Sequence, residues 1–206
     1  MVNKLKKSKM MNKYYKIGIS GHRDLDPSQK EENLLILTGH LLKLKRDYPN
    51  RELIILTPLA DGADRLIVEA AKKLGIRYDV ILPMPKQIYR TDFSPNSLKE
   101  FNSLIQNARS IKTIKLYAGN TLQLISKDSI YRDFQYRQVG RKVVELSDKI
   151  IIMSDGVKNS KIGGTEDIAN YAKRYGTILF NIRCNRLRSK SNDKFRSSSI
   201  HNSAAT

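Results

Sequence analysis

The sequence holds one cysteine, Cys184, and no apolar run approaching the ~20 residues that a membrane-spanning helix needs. A lone cysteine excludes an internal disulfide and any metal site built on paired cysteines. Past the last strand it reads as a small apolar filler rather than a nucleophile. The N-terminus is basic, but Met10-Met11 is no apolar signal core, so no secretory leader is read and a cytoplasmic setting is the default. There is no Walker-type phosphate loop, and Gly-x-Gly-x-x-Gly does not follow the first strand. Both absences argue against a standard dinucleotide dehydrogenase. No metal and no resident cofactor are expected.

Acidic residues are scarce as well: 20 against 38 Lys and Arg, for a formal net charge of +18. Residues 1–16 account for +6 of it and residues 186–206 for +4, which leaves +8 on the middle of the chain. The final stretch is rich in Ser and Asn and cannot bury a core. Flexible basic tails are therefore expected over 1–14 and 185–206, around one domain over 15–184. Such tails hold phosphate backbones loosely and salt-dependently, so nucleic acid is expected as a partner only weakly and only through them. The remaining charge suits an anionic small molecule.

Between the tails, short apolar runs alternate with helical patterns. Strands are predicted over 15–20, 53–57, 79–82, 113–117, 149–154 and 177–182. Helices are predicted over 29–46, 65–74, 97–108, 129–146 and 166–175, from apolar residues at helical spacing. Segment 85–95 reads as irregular, and 119–127 has no clear pattern. The strands are continuous in Ile and Leu rather than alternating with polar residues, as in a sheet covered on both faces. The expectation is an α/β, Rossmann-like three-layer sandwich around a mostly parallel sheet of about six to seven strands.

Right-handed crossovers place all strand C-termini on one edge, where open sheets bind their ligands. Three polar loops fall there: Gly21-His22-Arg23-Asp24, Asp61-Gly62-Ala63-Asp64 and Asp155-Gly156. A fourth, Gly163-Gly164-Thr165, opens the last helix. Glycines let a ligand approach the backbone, and the free N–H groups of a helix start attract an anion. Thr165 can cap that helix or donate its hydroxyl to a phosphate. Arg23 offers a planar fork to a phosphate. His22 can donate to an anion, act as acid or base, or simply hold a turn. Asp61 can accept ribose hydroxyls, whereas Asp64 reads best as a helix N-cap. Arg132, Tyr136 and Arg137 form either a stripe over a nucleotide or a solvated helix face. Glu69, Glu145 and Glu166 are available as bases, with no partner that the sequence identifies.

Gly18-Ile19-Ser20-Gly21-His22-Arg23-Asp24, Leu59-Ala60-Asp61-Gly62-Ala63-Asp64-Arg65, Asp155-Gly156 and Gly163-Gly164-Thr165 together resemble the SLOG superfamily. These are Rossmann-like domains related to DprA, to the Lonely Guy phosphoribohydrolases and to YpsA-like proteins. The resemblance spans about residues 15–183. It implies a nucleotide pocket at the strand ends, with Gly163, Gly164 and Thr165 on phosphate and Gly21 with its neighbours along the base or ribose. It also implies a cytoplasmic bacterial sensor in a defence or mobile-element setting, self-association, and a separate effector protein, with no membrane insertion. The phosphoribohydrolases carry Pro-Gly-Gly-x-Gly-Thr-x-x-Glu. Here Ile162 stands for the proline, the third glycine is missing, and Ile168 stands where the glutamate belongs. The chain therefore reads as a binding module for a nucleotide, including one derived from NAD or a cyclic one, before it reads as an enzyme or, through its basic tails, as a DprA-like DNA-handling protein. As an enzyme it would cleave an N-glycosidic bond, with Glu166 or Asp167 stabilising the ribosyl centre and His22 or Arg23 near the leaving group or phosphate.

Overall fold

The computed structural model describes residues 13–127, 129–158 and 160–187. Most of the two expected tails lies outside these residues. Six strands, β1 (Tyr14–Gly21), β2 (Glu52–Thr57), β3 (Arg77–Leu82), β4 (Ser110–Thr113), β5 (Lys149–Ser154) and β6 (Ile178–Arg183), form one sheet. Every pairing is parallel, and the order is β4-β3-β2-β1-β5-β6. The chain starts in the middle, steps outward to β4, then returns to the far side of β1. The direction of winding thus reverses between β1 and β5, which opens a crevice at their C-terminal ends.

Seven helices connect the strands: α1 (Lys30–Asp47), α2 (Ala63–Lys73), α3 (Lys86–Tyr89), α4 (Pro95–Gln106), α5 (Leu122–Ile125), α6 (Ile130–Leu146) and α7 (Thr165–Tyr175). Alternate residues of each strand face opposite layers. Leu53, Ile55, Ile151 and Met153 join α1, α2 and α4 in one core, while Ile54, Leu56, Ile150 and Ile152 join α6 and α7 in the other. That is why the strands read as unbroken apolar runs. Each fully buried Leu or Ile contributes roughly 2 kcal/mol, and Leu37, Leu41, Ile54, Ile55, Ile150 and Ile151 are all fully enclosed. The three-layer α/β architecture is as the sequence predicts.

Two local expectations need correction. The fourth strand is not 113–117 but Ser110–Thr113, paired with Asp79–Leu82. After Ile114 donates to the Leu82 carbonyl, the chain leaves the sheet, and Gln135 takes the Tyr117 N–H instead. The apolar Ile114 and Leu116 that suggested a strand pack against the two cores from this departing segment. Segment 85–95 holds α3 and a 3-10 turn, Arg90–Asp92, and 119–127 holds α5 behind a Thr121 cap.

The loops after β1 and β2 interlock. The Ala63 N–H donates to the His22 carbonyl at 3.1 Å. Gly62 has φ +73°, and a Cβ there would stand 2.3 Å from the same carbonyl oxygen. On the other side, a Cβ on Gly21 would stand 2.4 Å from that of Ala63. Gly62→Ala is therefore expected to destabilise the fold by about 3 kcal/mol, since strain and backbone collision add. Urea unfolding of the purified variant measures this, and an unchanged midpoint would contradict the interlock.

Candidate functional site

The crevice at the β1/β5 reversal is a cleft of about 660 Å³. Its wall draws on Gly21–Asp24 after β1, Pro58, Ala60 and Asp64 after β2, Ser154 and Val157 after β5, and 161–166 at the start of α7. Tyr89 of α3, Asp92 of the 3-10 turn after it, and Arg132 and Tyr136 of α6 complete it. Segments separated by more than a hundred residues thus share one rim, because parallel topology brings all their strand ends to one edge.

Arg23 is a partly exposed cation on the wall of the cleft. Its guanidinium lies 5.1 Å from the centre of the Tyr136 ring and 3.5 Å from Asp92, with 41% of the side chain exposed. Beneath it, Asp92 accepts from both Arg132 and the Tyr136 hydroxyl. Arg132 is 4% exposed and also donates to the Ile88 carbonyl at 3.1 Å and to Thr91 Oγ1 at 3.2 Å. A buried guanidinium survives only with such complete pairing. The α6 stripe is therefore no solvated face at these two positions: Arg132 and Tyr136 brace Arg23 through Asp92. Arg137 points elsewhere, to Asp167.

At the opposite wall, Gly163 sits hard against α6. With φ +70°, a Cβ there would meet the Arg137 nitrogen at 2.7 Å and the Asp133 carbonyl at 2.8 Å. Its N–H donates to Asp167 Oδ2 at 2.9 Å, and Arg137 Nε donates to the same oxygen at 2.7 Å. Burial works against ionisation of Asp167, but these two bonds hold its carboxyl below the usual range. Asp167 thus fastens the loop and does not line the cleft. The cap of α7 is Gly164, so Thr165 is its first residue and not its cap. Gly163, Gly164, Thr165 and Glu166 all face the cleft, where the first N–H groups of α7 have no helical partner. Glu166 has one long contact, from Asn170 at 3.4 Å.

His22 Nε2 and Asp155 Oδ1 are 3.0 Å apart, and the same oxygen accepts from the Val157 N–H. Against the effect of burial, these contacts lower the Asp155 carboxyl. Asp24 pairs with Arg186 through both carboxylate oxygens, at 2.9–3.0 Å. An antiparallel bridge, Leu25 to Arg186, sets that contact from the segment after β6. Gly156 and Asp155 shape the β5 loop without lining the cleft. Asp61 turns toward α4, taking Ser97 Oγ and, at 3.0 Å, Arg65. Gly62 and Ala63 lie behind the β1 loop.

Asp64 departs from its expected role. Gly62, not Asp64, occupies the N-cap of α2. The Asp64 carboxyl instead faces the cleft floor, accepts from the Ala60 N–H at 3.1 Å, and is buried. Burial pushes it up to about 7, against the pull of the Ala60 N–H, Arg23, Thr57 and Arg65. Cys184 is buried, which pushes its thiol up to about 11 and fits the filler role. Sequence reasoning missed Lys161 and Arg186 on the rim. Nothing in their neighbours marks them, since both are brought in by loops.

These features define a Rossmann-like α/β fold, with its cleft at the point where strand order reverses. The fold is similar to two solved structures of DNA processing protein A. The first, from Streptococcus pneumoniae, is 17% identical with a TM-score of 0.54, and the match covers 87% of this chain and 53% of that one. The second, from Helicobacter pylori, is 22% identical with a TM-score of 0.52, covering 86% and 67%. The chain thus spans about half the length of the streptococcal protein. No family model and no curated protein matches the sequence. No helix among the described residues is long and apolar enough to cross a membrane.

Asp64 has a folded pKa above its ordinary 3.8, so it favours the fold below about pH 4 and loses that contribution as pH rises to about 7. His40 acts in reverse. Burial, with Lys149 and Lys43 against Asp47, lowers it from 6.5 to about 4, so its contribution grows over that range. The two offset each other. Asp64→Asn is expected to raise stability at pH 7, by on the order of 1 kcal/mol or more, and to leave stability rising with pH between about 4 and 6.5. Thermal melts across that range check both the sign and the size.

Proposed function

We propose that the protein is a nucleotide-binding sensor module, whose ligand is a nucleotide or an NAD-derived molecule held in the β1/β5 cleft. The observation that supports this most is the convergence of Arg23 and the open N-terminus of α7, with Gly163-Gly164-Thr165, on one cleft of about 660 Å³. The helix end and the guanidinium fork offer a phosphate two independent sources of positive potential. Asp64, on the cleft floor with a pKa near neutrality, can donate to or accept from a ligand hydroxyl. The setting proposed is bacterial and cytoplasmic, with a separate effector protein that reads the bound state.

Binding is preferred over N-glycosidic cleavage for two reasons. Asp167 is consumed by Arg137 and Gly163, and Ile168 is buried in the core where the phosphoribohydrolase motif has its glutamate. Glu166 is the remaining acid at the helix start. A second reading, single-stranded DNA, is favoured by the +18 net charge. The Helicobacter pylori protein is described by its single-stranded DNA binding mode.

Calorimetry of the full chain against nucleoside mono-, di- and triphosphates, cyclic nucleotides and NAD tests the reading. One class is expected to bind, and Arg23→Ala is expected to weaken it about tenfold or more by removing a charge-assisted contact. Free base released from the same mixtures reports cleavage, and none is expected. Folded protein that binds no nucleotide overturns the proposal. Tight, strongly salt-dependent binding of a single-stranded oligonucleotide, insensitive to Arg23→Ala, would favour the DNA reading instead.

A further inference from the structure

Tyr89 lines the cleft with only 1% of its surface exposed. Its ring packs edge-on against Phe93 and Phe101, with 5.1 and 5.7 Å between centres. A phenylalanine would serve that packing equally well. The hydroxyl makes no hydrogen bond among the described residues. Tyr78, also buried, hands its hydroxyl to the Leu104 carbonyl at 2.6 Å, and Tyr136 gives its own to Asp92. A buried tyrosine normally has such a partner, and a polar group left without one costs free energy. The partner of Tyr89 is therefore sought in the cleft itself.

Asp64 is the second enclosed polar group on this floor, at 5% exposure. The Ala60 N–H and Thr57 take up part of its carboxyl. A carboxylate has about four acceptor positions, so capacity remains. Tyr89 lies close enough to Asp64 and Arg23 to respond to both charges. Burial holds its phenol well above the ordinary value, Arg23 opposes this and Asp64 reinforces it, so the phenol is a donor at any working pH. Asp92, Arg132 and Tyr136 beside them are engaged with one another. The floor thus presents a free phenolic donor near a carboxyl acceptor.

The chemistry of that pair restricts what it can hold. A phosphate is repelled by a carboxylate. A guanine edge would set two N–H donors on both carboxylate oxygens, and Oδ2 already holds the Ala60 N–H. A vicinal diol fits, because each hydroxyl both donates and accepts: one gives to Asp64 while its neighbour accepts from Tyr89. We propose that Tyr89 and Asp64 form a sugar-reading subsite for the 2′,3′-diol of a ribose, and that the cleft selects ribonucleotides over deoxynucleotides. This rests on the nucleotide reading of the cleft and adds which sugar is admitted. The phosphate stays at the start of α7 on the opposite wall.

Calorimetry of the full chain with ribonucleoside 5′-mono- and diphosphates and ADP-ribose, each beside its 2′-deoxy and 3′-deoxy forms, is the test. The ribo form of a probe that binds is expected to bind about tenfold or more tightly than at least one deoxy form, since a missing hydroxyl leaves the buried pair unmet. Tyr89→Phe removes one oxygen that no atom of the chain bonds, so thermal melts should show it folded. It should weaken the ribo form more than the deoxy form and narrow the gap. Asp64→Asn should narrow it too, by replacing a charge-assisted acceptor with a neutral one. Equal binding of ribo and deoxy forms overturns the inference and leaves the nucleotide reading standing. So does a sugar preference that Tyr89→Phe leaves intact, or a ranking by base that ignores the sugar. Folded protein that binds none of these probes overturns the inference as well, and failure of NAD and the cyclic nucleotides alongside them removes the proposed function too.

Discussion

The close approach of the β1 and β2 loops is the constraint on which the cleft depends. The His22 carbonyl is gripped from one side by the Ala63 N–H and crowded from the other by Gly62, which has room only because it lacks a side chain. This contact fixes where β1 hands over to its loop, and with it the direction in which His22 and Arg23 leave the sheet. The Met153 carbonyl adds a bond to the His22 N–H from β5, at 3.2 Å. Three neighbouring strands are thereby held in common at their C-terminal ends. The cost falls on α2, which starts at a glycine without a side-chain cap.

A second layer of order lies under Arg23. Its ion-pair partner Asp92 is already engaged by Arg132 and Tyr136, so Arg23 is oriented by the Tyr136 ring and only loosely neutralised. A cation held this way keeps its position without spending its hydrogen-bonding capacity. Asp24 and Asp155, in contrast, share Arg186 and His22, and Asp167 is tied between Arg137 and Gly163. The polar residues of the rim thus divide into those that hold one another and those left facing the cleft. Arg23, Glu166 and the N–H groups at the start of α7 belong to the second group.

Much of this architecture is legible in the chain itself. Continuous Ile and Leu runs such as Ile150-Ile151-Ile152 require cover on both faces, and that alone leads to a parallel sheet with its loops on one edge. The convergence of residues 21–24, 163–166 and the β2 loop follows from topology. Roles within the loops are less legible, because they depend on three-dimensional neighbours. Asp64 has the composition of a cap, yet its carboxyl turns inward to Ala60. Asp61 looks equally available, yet Ser97 and Arg65 on other elements take it. The β4 strand was misplaced because an edge strand is half-exposed, whereas the more apolar residues after it serve the core without pairing. Arg132 shows the opposite failure: a charged residue on a charged helix gives no hint that the fold encloses it.

The segment after β6 does more than end the sheet. Asn185, Arg186 and Leu187 run back across the loop after β1: Asp26 donates to the Asn185 carbonyl, Leu187 donates to the Asp24 carbonyl, and Arg186 spans Asp24 and Asp155. The polypeptide is therefore stitched to the mouth of the cleft just before residue 188. A pull on residues 185–187 would pass through these bonds to the loop that carries His22 and Arg23, so the segment after β6 and this wall of the cleft are mechanically joined.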